Sequence, residues 1–147
     1  MAADLAFKGL EAFHGILGVL WIIMLIWFVL SISKYRSNHT DTAGKGVRKS
    51  GIAQRILGGL AMIMGLILVA TMKTLGSSFN FDSNAGIFLS IGIVFAIIAY
   101  VIFGEGMAMR LARNLNADKS KSLITFASLE LLFAILTIIF MVIGTSI

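Results

Sequence analysis

The sequence predicts an all-α integral membrane protein, a four-helix transmembrane bundle with both termini on the outer side of the membrane. Composition is the first observation. Of the 147 residues, 59% are hydrophobic and 13% are charged, and the mean hydropathy is +0.98, whereas a soluble domain is about 45–50% apolar and about 25% charged. The second observation is four apolar stretches long enough to cross about 30 Å of hydrocarbon. The third is the clustering of Lys and Arg in two of the connections.

The four predicted spans cover residues 13–33, 56–72, 85–109 and 123–143 of a single transmembrane domain, residues 1–147. Each span is apolar around its whole circumference, as is typical of a helix embedded in lipid. Backbone groups in lipid must be satisfied internally, and no alternating barrel pattern is present, so helices are expected. Small residues at helical spacing predict close packing of the second and third spans: Gly58, Ala61, Gly65, Gly92, Ala96 and Ala99. Proline is absent, so the spans are expected to be uninterrupted, unlike the broken helices of many transporters.

The connections differ in charge. Residues 34–55 and 110–121 are predicted to be polar loops rich in Lys and Arg, whereas residues 73–84 are short and nearly neutral. Cytoplasmic loops carry the excess of Lys and Arg, so the two basic loops are predicted to lie on the cytoplasmic side of the cell membrane. The net charge of +5 is then mainly a topology signal, and no nucleic-acid-binding motif accompanies it.

Two ionisable residues lie at the outer end of the first span. Glu11 and His14 are three residues apart, so they share a helix face, which Gly18 and Trp21 continue. A neutral imidazole oriented by a carboxylate can ligate a metal, and the glycine would leave room for a flat macrocycle. The face formed by His14 and Trp21 is therefore a candidate cofactor-binding surface for haem or copper. The alternative is a polar pair at the level of the lipid headgroups.

A second ligand for His14 is hard to find in the sequence. His39 is the only other histidine, and it lies in the loop on the opposite side. Met72, at the outer end of the second span, is the candidate that has a similar depth to His14. Otherwise the second ligand would come from another subunit. The candidate metal ligands are thus His14, Glu11 and Met72.

A second intramembrane charge cluster consists of Arg55, Glu105 and Glu130, in the cytoplasmic half of the bundle. Ionisable residues in a membrane span are functional candidates by default, because their burial is costly. Pairing of the carboxylates with Arg55 or Arg110 would hold the bundle together, whereas proton or cation transfer through Glu130 is the alternative. There is no Cys, no Gly-x-Ser-x-Gly elbow and no phosphate-binding loop, so hydrolytic and nucleotide-driven chemistry have no support in the sequence.

The stretch HGILGVLW at residues 14–21 has a histidine followed seven positions later by a tryptophan. It resembles the copper-resistance D-type membrane domain and the four-helix membrane protoporphyrinogen oxidase family. The layout is also similar, with Arg55 before a Gly- and Leu-rich second span and Glu130 in the last span. This resemblance implies haem b, porphyrin or copper near His14. A weaker similarity to duplicated rotor-ring proteolipids implies that Glu130 is an ion carrier.

The sequence is compatible with three functions. The first is a non-catalytic accessory or scaffold subunit of a larger membrane complex of respiratory or monooxygenase type, because the chain has spans and packing glycines without a complete catalytic or transport site. The second is a haem-, porphyrin- or copper-handling bundle that uses His14. The third is ion translocation through Glu130. The expected partners are the lipid bilayer and membrane-protein subunits, with no nucleic acid.

Overall fold

The structure, a computed structural model, describes residues 2–74 and 82–147, with side chains described for residues 2–71 and 82–147. These residues form four long helices and no strand: α1 Ala2–Asn38, α2 Asp41–Thr74, α3 Asn84–Arg113 and α4 Ala117–Ser146. All four helices are long and apolar enough to cross a membrane. The predicted all-α, four-helix transmembrane fold is confirmed, and the chain is a multi-pass membrane protein.

The prediction that residues 34–55 form a polar loop is wrong. Helix α1 continues to Asn38 and α2 begins at Asp41, so only two residues connect them. Likewise, most of residues 110–121 are helical, because α3 ends at Arg113 and α4 begins at Ala117. Hydropathy marks where an apolar span ends, but a helix can continue into water while its charged side chains are solvated. The basic residues therefore lie mainly on helix ends rather than on loops.

Local capping explains where the helices stop and start. His39 has a φ of 49° and donates its backbone N–H to the Tyr35 carbonyl over 2.8 Å, which closes α1 in the left-handed conformation usual at a helix C-terminus. The Asn116 side chain accepts the Lys119 N–H over 2.8 Å at the start of α4. The Ser83 hydroxyl caps α3 in the same way.

The helices pack as two antiparallel hairpins. Helix α1 lies against α2, and α3 lies against α4; α1 also packs on α4, and α2 approaches the second half of α3. Many large apolar side chains, such as Leu30 and Leu66, are exposed on the outside of the bundle, as expected for a surface that faces lipid. The interior is rich in small residues, which lets helices in a membrane approach closely: Ala61, Ala96, Ala99, Ala108, Ala112, Ala127 and Ala134 are all buried.

The α1–α2 interface includes four ring side chains of α1 that lie on four glycines of α2, a feature called here the ring–glycine ladder. Each set repeats every seven residues, the spacing of a coiled-coil seam. The pairs are His14 with Gly65, Trp21 with Gly58, Phe28 with Gly51, and Tyr35 with Gly44; a Cβ atom at these glycines would lie 3.1, 2.7, 3.1 and 3.6 Å from the nearest ring atom. The seven-residue interval between His14 and Trp21 is thus a packing repeat of the hairpin.

Close packing also joins α3 to α4. A Cβ atom at Gly92 would lie 3.0 Å from Cγ of Met141, and one at Gly144 would lie 2.8 Å from Cγ of Leu89. Next to these contacts runs a row of phenylalanines whose ring centroids are 5.3 to 5.9 Å apart: Phe88, Phe95, Phe103, Phe133 and Phe140. The predicted packing role of Gly58, Ala61, Gly65, Gly92, Ala96 and Ala99 is confirmed.

Helix α3 changes its winding in the middle of the span. It is α-helical over Asn84–Ile97, π-helical over Ile98–Ala108 and α-helical again over Met109–Arg113. Segments of π-helix are rare, are mostly single turns and are frequent at functional sites, so an 11-residue segment is unusual. The backbone is continuous, as the absence of proline predicts, but its geometry is not uniform. This segment carries Glu105 and faces Glu130.

Candidate functional site

Glu130 is the most deeply buried ionisable residue described. It lies within the 30-residue helix α4, its exposed fraction is 0%, and neither carboxylate oxygen has a hydrogen-bond partner among the described residues. Gly104 of the π-helical segment lies opposite, and a Cβ atom there would be 2.6 Å from Oε1 of Glu130. Only a residue without a side chain leaves space for this carboxyl group. A carboxyl without a partner is costly inside a protein and more so inside a membrane.

Glu105, the next residue after Gly104, is paired. Nε of Arg55 lies 2.5 Å from Oε1 of Glu105, and the two side chains are 44% and 28% exposed. Successive residues on a helix point in different directions, so Gly104 faces α4 while Glu105 faces α2. The structure thus brings Arg55 and Glu105 together. Among the described residues, neither Arg55 nor Arg110 forms an ion pair with Glu130.

Tyr100 connects the same segment to α2. Its hydroxyl donates a hydrogen bond to the backbone carbonyl of Arg55 over 3.1 Å. Its ring covers the glycine pair of α2, because Cβ atoms at Gly58 and Gly59 would lie 2.7 and 2.9 Å from tyrosine atoms. The ring also meets Trp21 edge to face, with centroids 6.0 Å apart. Tyr100 therefore fixes the position of the π-helical segment relative to α1 and α2.

A buried polar contact lies beside this cluster. The indole Nε1 of Trp21 donates to Oε1 of Gln54 over 3.3 Å, and Nε2 of the same glutamine lies 3.9 Å from Sδ of Met109. Gln54 is 1% exposed, so these partners satisfy an amide that would otherwise be costly to bury. The sequence pattern does not single out Gln54, Tyr100 or Gly104. Two features of the sequence could have indicated Gln54 and Tyr100: a polar residue next to Arg55, and a single tyrosine within an apolar span.

Glu11 and His14 are arranged differently from the predicted cofactor face. The His14 ring lies on Gly65, and its Nδ1 atom is buried without a hydrogen-bond partner among the residues described. Glu11 is exposed, and no described hydrogen bond or ion pair joins it to His14. The indole N–H of Trp21 is already hydrogen-bonded to Gln54. A Cβ atom at Gly18 would have no neighbour within 4 Å, so this side of α1 is open to the outside of the bundle.

A complete metal centre is not evident in the described part of the chain. No group of three or more His, Asp or Glu side chains there is placed to hold a metal ion. The side chain of Met72, the predicted second ligand, lies outside the described residues. His14 could thus provide one nitrogen ligand to a metal, but the other ligands that a metal would need are not among the side chains described.

Comparison with known proteins does not assign the chain to a family, because no family model, no curated protein and no solved structure matches it. The fold and the site define a class, a polytopic α-helical membrane protein with a carboxyl group buried between α3 and α4. Its function must be inferred from that site.

Proposed function

We propose that this protein transfers protons within the membrane and that Glu130 is the group that takes up and releases the proton. The observation that carries the proposal is the complete burial of this carboxyl group with neither oxygen hydrogen-bonded to a described residue. An ionised carboxylate without a counter-ion or donor is poorly tolerated there, so the protonated form is the resting form. Deprotonation would be a transient step of a transfer.

The surroundings of Glu130 favour a proton over a metal cation. Hard cations such as Ca²⁺ require six or more oxygen ligands. The only other carboxylate described near Glu130 is Glu105, and that group is paired with Arg55. A proton requires only the carboxyl oxygens themselves. The partly exposed Glu105 is the group through which Glu130 would exchange protons with the basic end of the bundle, because Arg55 compensates the negative charge left on it.

We also propose that the chain acts as a non-catalytic subunit of a larger complex in the cell membrane, with its basic ends in the cytoplasm. The support is the absence of a second buried carboxyl group among the described side chains, since a proton leaving Glu130 toward the chain termini would need another acceptor. The hydroxyl of Thr137, about two turns further along α4, already donates a hydrogen bond to the Phe133 carbonyl over 2.9 Å. Partner subunits of a respiratory or monooxygenase-type assembly would supply the remaining path.

The test is proton flux after substitution of Glu130. The protein, with any partners that co-purify in mild detergent, is reconstituted into vesicles that contain a pH-sensitive dye. Glu130→Gln keeps the size of the side chain but cannot exchange a proton, so we expect the flux to fall at least about tenfold. Asp118→Asn removes an exposed carboxylate from the same helix and should leave the flux unchanged. A Glu130→Gln variant that conducts like the wild type would overturn the proposal.

A second candidate, haem or copper handling, is favoured by one observation, the buried and unpartnered Nδ1 of His14. The resemblance of residues 14–21 to the copper-resistance D-type and membrane protoporphyrinogen oxidase families points the same way. A bound haem or copper would supply electron transfer, and His14 would provide one nitrogen ligand.

His14→Phe separates this cofactor role from packing. The other three rings of the ladder belong to Trp21, Phe28 and Tyr35, so a phenylalanine should fit on Gly65 and change the melting temperature by only about 3 °C. If His14 binds haem or copper, the Soret band or the bound copper of the wild type disappears in this folded variant. A Soret band or bound copper that survives the substitution would eliminate this candidate function. A wild-type protein with neither a Soret band nor bound copper would also eliminate it.

A further inference from the structure

A separate site lies at the end of the bundle where α1 turns into α2. A cleft of about 310 Å³ opens there between the α1–α2 turn and the connection that leads to α4. Its cationic side chains are Lys45 and Arg48, and His39 and one acid, Asp41, also line it. Lys45 and Arg48 are three residues apart on α2, so both side chains lie on the same face of the helix.

The wall of the cleft is held in place by the last pair of the ring–glycine ladder. Tyr35 packs on Gly44, and its ring meets the His39 ring edge to face with centroids 5.4 Å apart. His39 is the one described non-glycine residue with a positive φ. Histidine is one of the residues that adopt this conformation more readily than most, usually at a turn. Tyr35 and His39 thus form one wall of the cleft, and Lys45 and Arg48 lie on the adjoining helix α2.

The cleft combines two kinds of surface. Its rim carries an ammonium and a guanidinium group, and the planar guanidinium is suited to bidentate contact with phosphate. Tyr35 and Leu115 supply apolar walls beside the charges. Tyr35 lies only two residues, or about 3 Å along the helix, beyond the predicted end of the first span at residue 33. The cleft is therefore level with the lipid headgroups, where phosphate and apolar chains are joined in one molecule.

We infer that this cleft binds the phosphate group of an anionic membrane lipid, with Lys45 and Arg48 contacting the phosphate and with Tyr35 and Leu115 against the adjoining apolar part of the lipid. The site is independent of Glu130. Clusters of Lys and Arg next to a membrane span attract anionic lipids, and the cleft would convert that general attraction into binding at one place. Asp41 opposes the ligand charge and limits the affinity.

The experiment measures the affinity of the full-length protein for fluorescently labelled phosphatidylglycerol in phosphatidylcholine nanodiscs. The double variant Lys45→Gln/Arg48→Gln removes both cations of the cleft, and we expect its affinity to fall at least about tenfold. The matched control, Lys34→Gln/Arg36→Gln, removes one exposed lysine and one exposed arginine from the end of α1 without altering the cleft lining, and should change affinity by less than about twofold. Asp41→Asn should tighten binding.

Two results would overturn the inference. Equal loss of affinity in both double variants would mean that the lipid responds to the overall surface charge and not to the cleft. Binding of inorganic phosphate in detergent, as tight as that of the labelled lipid and equally sensitive to Lys45→Gln/Arg48→Gln, would mean that the ligand is free phosphate. The four cations are exposed or lie on helix surfaces, so unchanged melting temperatures are expected and can be verified for each variant.

Discussion

Replacing Gly58 with leucine is expected to cause the largest loss of stability of any single substitution in the α1–α2 hairpin. A Cβ atom at this position would lie 2.7 Å from Nε1 of Trp21 and 2.7 Å from Cδ2 of Tyr100. The new side chain would push against α1 and α3 at the same time, so neither ring can move away without breaking its own hydrogen bond. We expect a cost of at least about 3 kcal/mol, measured by thermal unfolding in detergent with tryptophan fluorescence.

Gly18→Leu is the matched control for this prediction. It introduces the same side chain into the partner helix, but a Cβ atom at Gly18 has no neighbour within 4 Å. Because a side chain at Gly18 would enter open space, replacing this helical glycine should have no cost or should stabilise the helix by about 0.5–1 kcal/mol. If Gly58→Leu and Gly18→Leu unfolded at the same temperature, the ring–glycine ladder would not be what holds the hairpin together.

The spans were predictable because each depends on its own residues. Transfer of an apolar stretch into lipid does not require a partner, so hydropathy identifies four helices without any knowledge of their arrangement. The ring–glycine ladder was harder to predict, because it pairs residues as far apart in the sequence as His14 and Gly65. Both seven-residue series can be read from the sequence, the rings at residues 14, 21, 28 and 35 and the glycines at residues 44, 51, 58 and 65, but only the structure shows that the two series face each other.

The sequence predicts which charged residues belong to the candidate site, but not which carboxylate pairs with Arg55. Glu105 and Glu130 are conspicuous because carboxylates are costly in apolar spans. Which of them meets Arg55 depends on the rotation of α3, and the π-helical winding over Ile98–Ala108 changes that rotation. An apolar segment without proline is compatible with both α-helical and π-helical winding, so no local sequence pattern predicts the change. Gly104 leaves room for the Glu130 carboxyl group. This role can be recognised only when the packing of α4 against α3 is known.

Gly104→Ala is the second substitution expected to have a large effect, because the added methyl group would lie 2.6 Å from Oε1 of Glu130. The carboxyl group is fully buried, so it must be displaced against packed neighbours to admit the methyl group, which would also lie 3.3 Å from the backbone carbonyl oxygen of Ala99. We expect a loss of about 2 kcal/mol in thermal unfolding and a proton flux well below that of the wild type. Gly106→Ala, in the same π-helical segment, measures the effect of an alanine on the winding alone, since its Cβ would meet only the Val101 carbonyl at 3.1 Å.

A double-mutant cycle shows whether the loss arises at the carboxyl group. Glu130→Asp shortens the side chain by one methylene and withdraws the carboxyl from Gly104, so Gly104→Ala/Glu130→Asp should unfold at a higher temperature than Gly104→Ala alone. Residues in direct contact give interaction energies of about 0.5–3 kcal/mol in such cycles, whereas independent sites are additive. A coupling energy within this range would place the Glu130 carboxyl against the π-helical segment. Strict additivity would show that the two residues do not touch, and it would remove the geometric basis for proton transfer through Glu130.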